Sequence, residues 1–253
     1  MSETRINKYL GEVGYCSRRE ADKLVEAGKV MINGELAVMG SKVKPGDAIE
    51  VDGKNIKSRK KKNVYLAFHK PVGVVCTTDT KREEDNIIDF INYPTRIFPI
   101  GRLDKPSEGL IFLTDDGDIV NKILRARNHH EKEYIVTVNQ PITEEFIEQM
   151  GSGVPILETT TRPCVVIQIS TYKFKIILTQ GLNRQIRRMS EHLGYRVTKL
   201  KRIRIMNMEL DVPAGKWRHF TEEELAELEA LCSDSAKTYE EELEKAKQEN
   251  KES

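Results

Sequence analysis

At 253 residues with 38% hydrophobic content and ordinary glycine and proline use, the chain can hold one large globular domain or a large and a small one, which excludes a fibrous or wholly disordered protein. No run of about 18 apolar residues offers a membrane span, and Met1–Arg5 lacks a signal-peptide core, so a cytoplasmic location is the expectation. The net charge of +1 hides an asymmetry: from Glu222 onward twelve acidic residues face four lysines, which leaves +9 on the preceding part and points to a polyanionic partner.

Residues Arg5–Leu10 and Ser17–Ala27 read as two short helices. The second opens with a Ser17/Glu20 capping box and closes at Gly28. Ala21, Leu24 and Val25 form its apolar stripe, which leaves Lys8, Arg18 and Arg19 outside. Val30–Ile32, the turn Asn33-Gly34 and Leu36–Val38 read as a hairpin, and Pro45-Gly46-Asp47 leads into a strand at Ile49–Val51. Residues 3–53 are therefore expected to form a small module. Residues 54–63, with six Lys and Arg and no apolar periodicity, read as a basic tether.

From Val64 the pattern changes to strands, expected at Tyr65–Phe68, Val72–Cys76, Leu110–Leu113, Tyr134–Val138, Cys164–Ile169 and Phe174–Leu178. Helices are expected over Asp118–Ala126, from a Thr143 cap through Met150, and over Arg184–Leu193. Without a regular βαβ repeat, residues 64–231 read as an α+β domain with a mixed, mainly antiparallel sheet, followed by an acidic tail over 232–253. There is no glycine-rich phosphate loop and no dinucleotide fingerprint. Cys16, Cys76, Cys164 and Cys232 form no Cys-x-x-Cys pair and read as reduced structural thiols. The histidines lack ligand spacing, and Asp115-Asp116-Gly117-Asp118 looks like a turn and helix N-cap, so no metal is expected.

Three stretches carry chemistry. In Gly101-Arg102-Leu103-Asp104 a carboxylate lies in a loop entering the buried strand Leu110–Leu113, where a rigid sheet can hold a reactive group. Tyr134, Val136 and Val138 share one strand face, so Tyr134 is either core or a ring offered to a base. In the helix beginning near Asn183, the expected N-cap, Ile186, Met189 and Leu193 form the buried stripe while Arg184, Arg187 and Arg188 crowd the first two turns. Cations at a helix N-terminus oppose its dipole, so these arginines ask for an anion, either a carboxylate or an RNA phosphate. Arg196, Lys199, Lys201, Arg202 and Arg204 extend the positive surface downstream.

Residues 3–53, through Arg5–Leu10, Cys16–Ala21, Gly28-Lys29-Val30 and Asn33-Gly34, resemble an S4-type RNA-binding domain. Gly101–Asp104, Lys132-Glu133-Tyr134 and Gly181–Met189, in that order behind such a domain, resemble the three active-site motifs of the RsuA-type pseudouridine synthases. Within that family, Asn128–Tyr134, Pro141–Glu145 and Arg204–Asn207 look most like the RluF branch, which modifies large-subunit ribosomal RNA and a tRNA anticodon loop. The resemblance implies that a uridine in structured RNA is isomerised in place without a cofactor. It makes Asp104 the nucleophile, or the base that initiates glycal formation, and Arg187 its partner. Tyr134 would stack on the flipped uracil, Arg102 would hold the extruded nucleotide or fill its gap, and Arg184 and Arg188 would bind phosphates. Lys8, Arg18, Arg19 and Arg202 complete the expected RNA-binding set, on a chain expected to be a monomer. The alternative is a non-catalytic RNA-binding factor in ribosome assembly, whose RNA affinity would be indifferent to Asp104→Ala.

Overall fold

The computed structural model describes residues 3–56, 62–80, 82–124 and 130–232. The chain divides into two compact units, one comprising residues 1–63 with 94–96, the other 64–93 with 97–253.

The first unit runs β1 (Thr4–Arg5), α1 (Ile6–Glu12), α2 (Arg18–Glu26), β2 (Val30–Ile32), β3 (Glu35–Leu36), β4 (Lys42–Val43), β5 (Ile49–Val51) and β6 (Lys54–Ile56). The Ser17 hydroxyl accepts from the Glu20 N–H at 3.2 Å while the Glu20 carboxylate accepts from the Ser17 N–H at 2.8 Å, so α2 begins where its capping box sets it. Asn33 and Gly34 both take positive φ, the geometry of a two-residue hairpin turn. Ile6, Leu10, Ala21, Val25, Val30 and Ile49 close a core of their own. Lys54–Ile56 departs from the tether reading: it pairs antiparallel with β5 through a second positive-φ turn at Asp52-Gly53. Residues 57–61 of that stretch lie outside the described residues.

The second unit runs β7 (Tyr65–Lys70), α3 (Ile87–Ile91), β8 (Phe98–Ile100), β9 (Glu108–Thr114), α4 (Gly117–Leu124), β10 (Lys132–Val138), α5 (Glu144–Ser152), β11 (Pro155–Ile156), β12 (Thr159–Thr160), β13 (Val165–Ser170), β14 (Lys173–Leu178), α6 (Gln185–His192), β15 (Val197–Ile205), β16 (Met208–Glu209), β17 (Trp217–His219) and α7 (Glu222–Leu231). Its mixed, mainly antiparallel sheet has the order β13-β14-β10-β15-β9-β7-β17, with β8 added on β9 and β16 on β15. Among the described pairings of this sheet, β15 with β9 is the parallel one. The expected strand at Val72–Cys76 is absent. Gly73 turns there with φ +96° and donates to the Lys105 carbonyl at 2.8 Å, so the segment braces the loop that carries Asp104.

Strands β7 and β9 are buried along almost their whole length and apolar through their middles, Leu66–Phe68 and Leu110–Leu113, because both faces are covered. Leu66, Phe68, Ile111 and Leu113 pack with α3, α5 and α6 through Ile87, Phe146, Met150, Ile186 and Met189. Tyr65, Ala67, Leu110 and Phe112 pack with α4 and α7 through Ile119, Ile123 and Leu228. Leu103 and Tyr134 belong to the first of these layers, which puts the Asp104 loop, β10 and α6 on one face of the sheet.

Candidate active site

Asp104 lies in the loop between β8 and β9, and local bonds fix its backbone. The Asp104 carbonyl accepts from the Ser107 N–H at 2.9 Å, and the preceding residue, Leu103, donates its N–H to the buried Cys76 Sγ at 3.4 Å. Its side chain keeps 33% of its surface exposed, so it is held yet reachable.

Two guanidiniums flank the carboxylate. Arg184 Nη1 lies 3.5 Å and Arg187 Nε 3.6 Å from Asp104 Oδ2. A carboxylate therefore does lie at the arginine-rich helix start, where its single negative charge partly offsets two of the three cations crowding α6. Arg187 is anchored independently: it donates to the Val197 carbonyl (3.2 Å), the Ser107 hydroxyl (3.0 Å) and the Pro106 carbonyl (3.4 Å). Burial lowers its pKa while Asp104 opposes that effect. At these separations the carboxylate is attracted by charge but not locked by short hydrogen bonds, which leaves an oxygen free to react.

The N-cap of α6 is Arg184, not Asn183, and it adopts the left-handed conformation (φ +50°, ψ +35°). Gln185 explains the shift. Its side-chain oxygen turns back to accept from the Leu182 N–H at 3.0 Å, and Asn183 is engaged by Arg188, which donates to its carbonyl (3.0 Å) and its side-chain oxygen (3.2 Å). That backbone twist sends Arg184 to Asp104 while Arg188 stays beside Asn183.

Tyr134 sits on β10 at 9% exposure, opposite Ile176 on one side and Arg202 on the other. A register shift between Glu133 and Tyr134 sets this pairing with β15. Arg202, expected among the RNA-facing cations, is instead buried at 3% exposure. Leu200 and Arg202 both point into the core by strand alternation, and the guanidinium lies 5.9 Å from the Tyr134 ring centroid. Arg204 is likewise engaged, with Glu131 (2.8 Å) and Glu133 (2.9 Å), so the surface along β15 is less positive than its sequence.

Two lysines that the sequence reading does not single out lie close to these groups, Lys70 near Asp104 and Lys132 near Arg202. Lys70 is fully buried, donates to the Pro71 carbonyl at 2.8 Å, and has its pKa lowered by burial despite Cys76 and Asp104. Lys132 donates to the His130 carbonyl at 3.2 Å, and burial, aided by Arg202, brings its pKa down to about 8. The period-two alternation that turns Tyr134 inward also turns Lys132 inward, a signal present in the sequence.

The structure thus brings Asp104, Arg184 and Arg187 together and pairs Tyr134 with Arg202. Arg102 is exposed in the Asp104 loop. In the other unit Lys8 pairs with Glu12 at 3.3 Å, and Arg18 and Arg19 are exposed on α2. Among the described residues no group of three or more His, Cys, Asp and Glu could hold a metal ion, and no helix is long and apolar enough to cross a membrane.

A flanked, partly exposed aspartate on a loop entering a mixed sheet, with a tyrosine on the same face, is the candidate active site that the fold offers. The chain belongs to the RNA pseudouridylate synthase family, whose model matches residues 64–192, behind an S4 domain matching residues 4–49. It is 56% identical over 237 residues to the dual-specificity RNA pseudouridine synthase RluF of Escherichia coli K12, covering 93% of this chain and 81% of that one. It is 34% identical to the ribosomal large subunit pseudouridine synthase B of Bacillus subtilis, covering 90% and 96%. A solved pseudouridylate synthase superposes with a TM-score of 0.65 at 29% identity, covering 90% of this chain and 99% of that one. The chain is an RNA pseudouridine synthase, and the reading as a non-catalytic assembly factor falls.

Proposed function

We propose that the substrate uridines lie in folded large-subunit ribosomal RNA and in a tRNA anticodon loop, and that Asp104 carries the chemistry. The likeness to a dual-specificity enzyme supports two RNA classes, and the Bacillus subtilis relative supports the ribosomal one. In the isomerisation the N1–C1′ bond breaks, the uracil turns within the site, C5 joins C1′, the C5 proton leaves, and N1 takes up a proton, so the product has the composition of the substrate. Asp104 either attacks the ribose at C1′ or withdraws the C2′ proton; both begin from a carboxylate within reach of an extruded nucleotide. The observation that carries the reading is the partly exposed Asp104 carboxylate, one oxygen of which lies 3.5 Å from Arg184 and 3.6 Å from Arg187.

Within this reading Tyr134 stacks on the uracil, Arg102 holds the extruded nucleotide or fills its place, and Arg188 meets phosphate, as does Arg184 beyond its contact with Asp104. Lys8, Arg18 and Arg19 of the S4 unit grip RNA by backbone charge. Because the uridine must leave its stack, loops and bulges are preferred over perfect duplex.

The test is tritium release from ribosomal and transfer RNA transcripts labelled at uridine C5. Wild type is expected to release tritium from both. Asp104→Asn should release none while its RNA Kd stays within about threefold, since the carboxylate acts in the transition state. Undiminished release by the variant removes Asp104 from the chemistry, and activity on one transcript class alone removes the dual range.

A further inference from the structure

Arg202 is a buried cation without a buried anion. At 3% exposure it donates Nε to the Leu110 carbonyl at 2.6 Å, one Nη2 atom has no hydrogen-bond partner, and no carboxylate lies within ion-pair distance among the described residues. Its charge also works against its neighbours: after burial itself, Arg202 is what depresses Lys132, and it adds to the depression of Lys70. An unpaired buried charge is costly, and strand pairing alone would be served as well by an apolar residue. The backbone has been shaped to admit it. Arg202 pairs in parallel with Gly109, where φ is +118° and an added Cβ would fall 2.2 Å from the Arg202 carbonyl oxygen. Only glycine lets β15 come this close to β9.

What the guanidinium meets is the Tyr134 ring, 5.9 Å from its centroid, on the cross-strand partner residue. From these contacts we infer that Arg202 is a positioning residue: it holds the Tyr134 ring from beneath by a cation–π contact and, through the Leu110 carbonyl, ties that ring to the strand on which Asp104 is mounted. Tyr134 and Asp104 come from opposite sides of the parallel β9–β15 junction, and Arg202 is the side chain that spans it. A guanidinium in a dry setting is strongly attracted to an aromatic face, and its fork leaves Nη free for the ring while Nε bonds the carbonyl. The Nη2 without a hydrogen-bond partner is then accounted for. This inference rests on Tyr134 being the residue that meets the uracil.

The test is a double-mutant cycle in single-turnover rate on labelled RNA, using Arg202→Met, Tyr134→Leu and the pair. Arg202→Met is expected to slow turnover about 10- to 100-fold, the scale of a misplaced catalytic group, with RNA Kd unchanged. In the Tyr134→Leu background the same change should cost nothing further. Arg202→Lys keeps the buried charge and should recover part of the rate; it also serves for the cycle if the Met variant melts below the assay temperature. Equal losses in both backgrounds would reduce Arg202 to a structural residue and overturn the inference. So would an unchanged rate in Arg202→Met. A full rate in Tyr134→Leu overturns it by a different route, because the reading of Tyr134 itself then fails.

Discussion

Lys132 is charged in water and disfavours that charge in the fold. Its folded pKa of about 8 lies below the ordinary 10.5, so the native state prefers the neutral amine. Below pH 8 the lysine is protonated in both states and the penalty is fully present; above about pH 10.5 it is neutral in both and the penalty is gone. Stability from this group therefore rises with pH across that window. Lys132→Met is expected to add about 1–3 kcal/mol at pH 7, and the gain should vanish by pH 10.5. Urea titrations at the two pH values check this, and an equal gain at both would show that the amine does not titrate in the window. The same residues mark where the sequence could be read and where it could not. Cations at a helix start call for an anion, and that much is legible at Arg184 and Arg187; that Asp104 lies beside both, rather than a phosphate beside Arg184, depends on a fold contact 80 residues away in the chain. Arg202 was misplaced outside because arginine is usually exposed; the alternation that buries Leu200 was there to be used, but a burial argument for a charge needs its cross-strand neighbour, which sequence does not name.

At the scale of elements, turn chemistry accounts for the hairpin that the sequence shows and for two of the elements it hides, whereas the short α3, β8 and β17 lack a periodic signal altogether. Asn33-Gly34 announced its hairpin. Asp52-Gly53 carries the same signal, but the lysines beyond it drew the reading toward a tether and hid β6. Val72–Cys76 has the β-branched content of a strand, yet Gly73 breaks it and the segment instead reaches the Lys105 carbonyl. Helix α7 shows caps working with charge. Thr221 and Glu224 form a capping box, and Arg218 donates to Glu224 at 2.6 Å and to Asp211 at 2.8 Å. The Arg218 hydrogen bond is the main reason the Glu224 carboxyl titrates below its usual range. The stability it contributes is present above the ordinary carboxylate pKa and is lost as pH falls through the folded value. Glu224→Gln is expected to cost about 1–2 kcal/mol at pH 7 and much less at pH 3, as thermal melts at the two pH values would show.

The whole chain balances a basic body against an acidic end. Residues 233–253 hold seven acidic side chains and four lysines, so a chain ending at Cys232 carries a net charge of +4 instead of +1. It is expected to bind RNA about two- to tenfold more tightly at 50 mM salt, with the difference gone near 0.5 M, because the Debye length shrinks to a few ångströms. Filter binding across the salt series measures both limits.

The order of strands has a consequence for the making of the protein. Strands β7, β8 and β9 come first in the catalytic unit, but they are held between β15 on one side and β17 on the other, both supplied by the last part of the chain. A nascent chain that has just released Asp104 from the ribosome has neither Arg187 nor the flanking strands to set it. The roughly 115 residues from Asp104 to His219 take on the order of 6–25 s to translate. During that interval every residue of the S4 unit has already been made while the synthase behind it still lacks the arginine and the two strands that complete its site, so the two halves of one chain come of age at different moments.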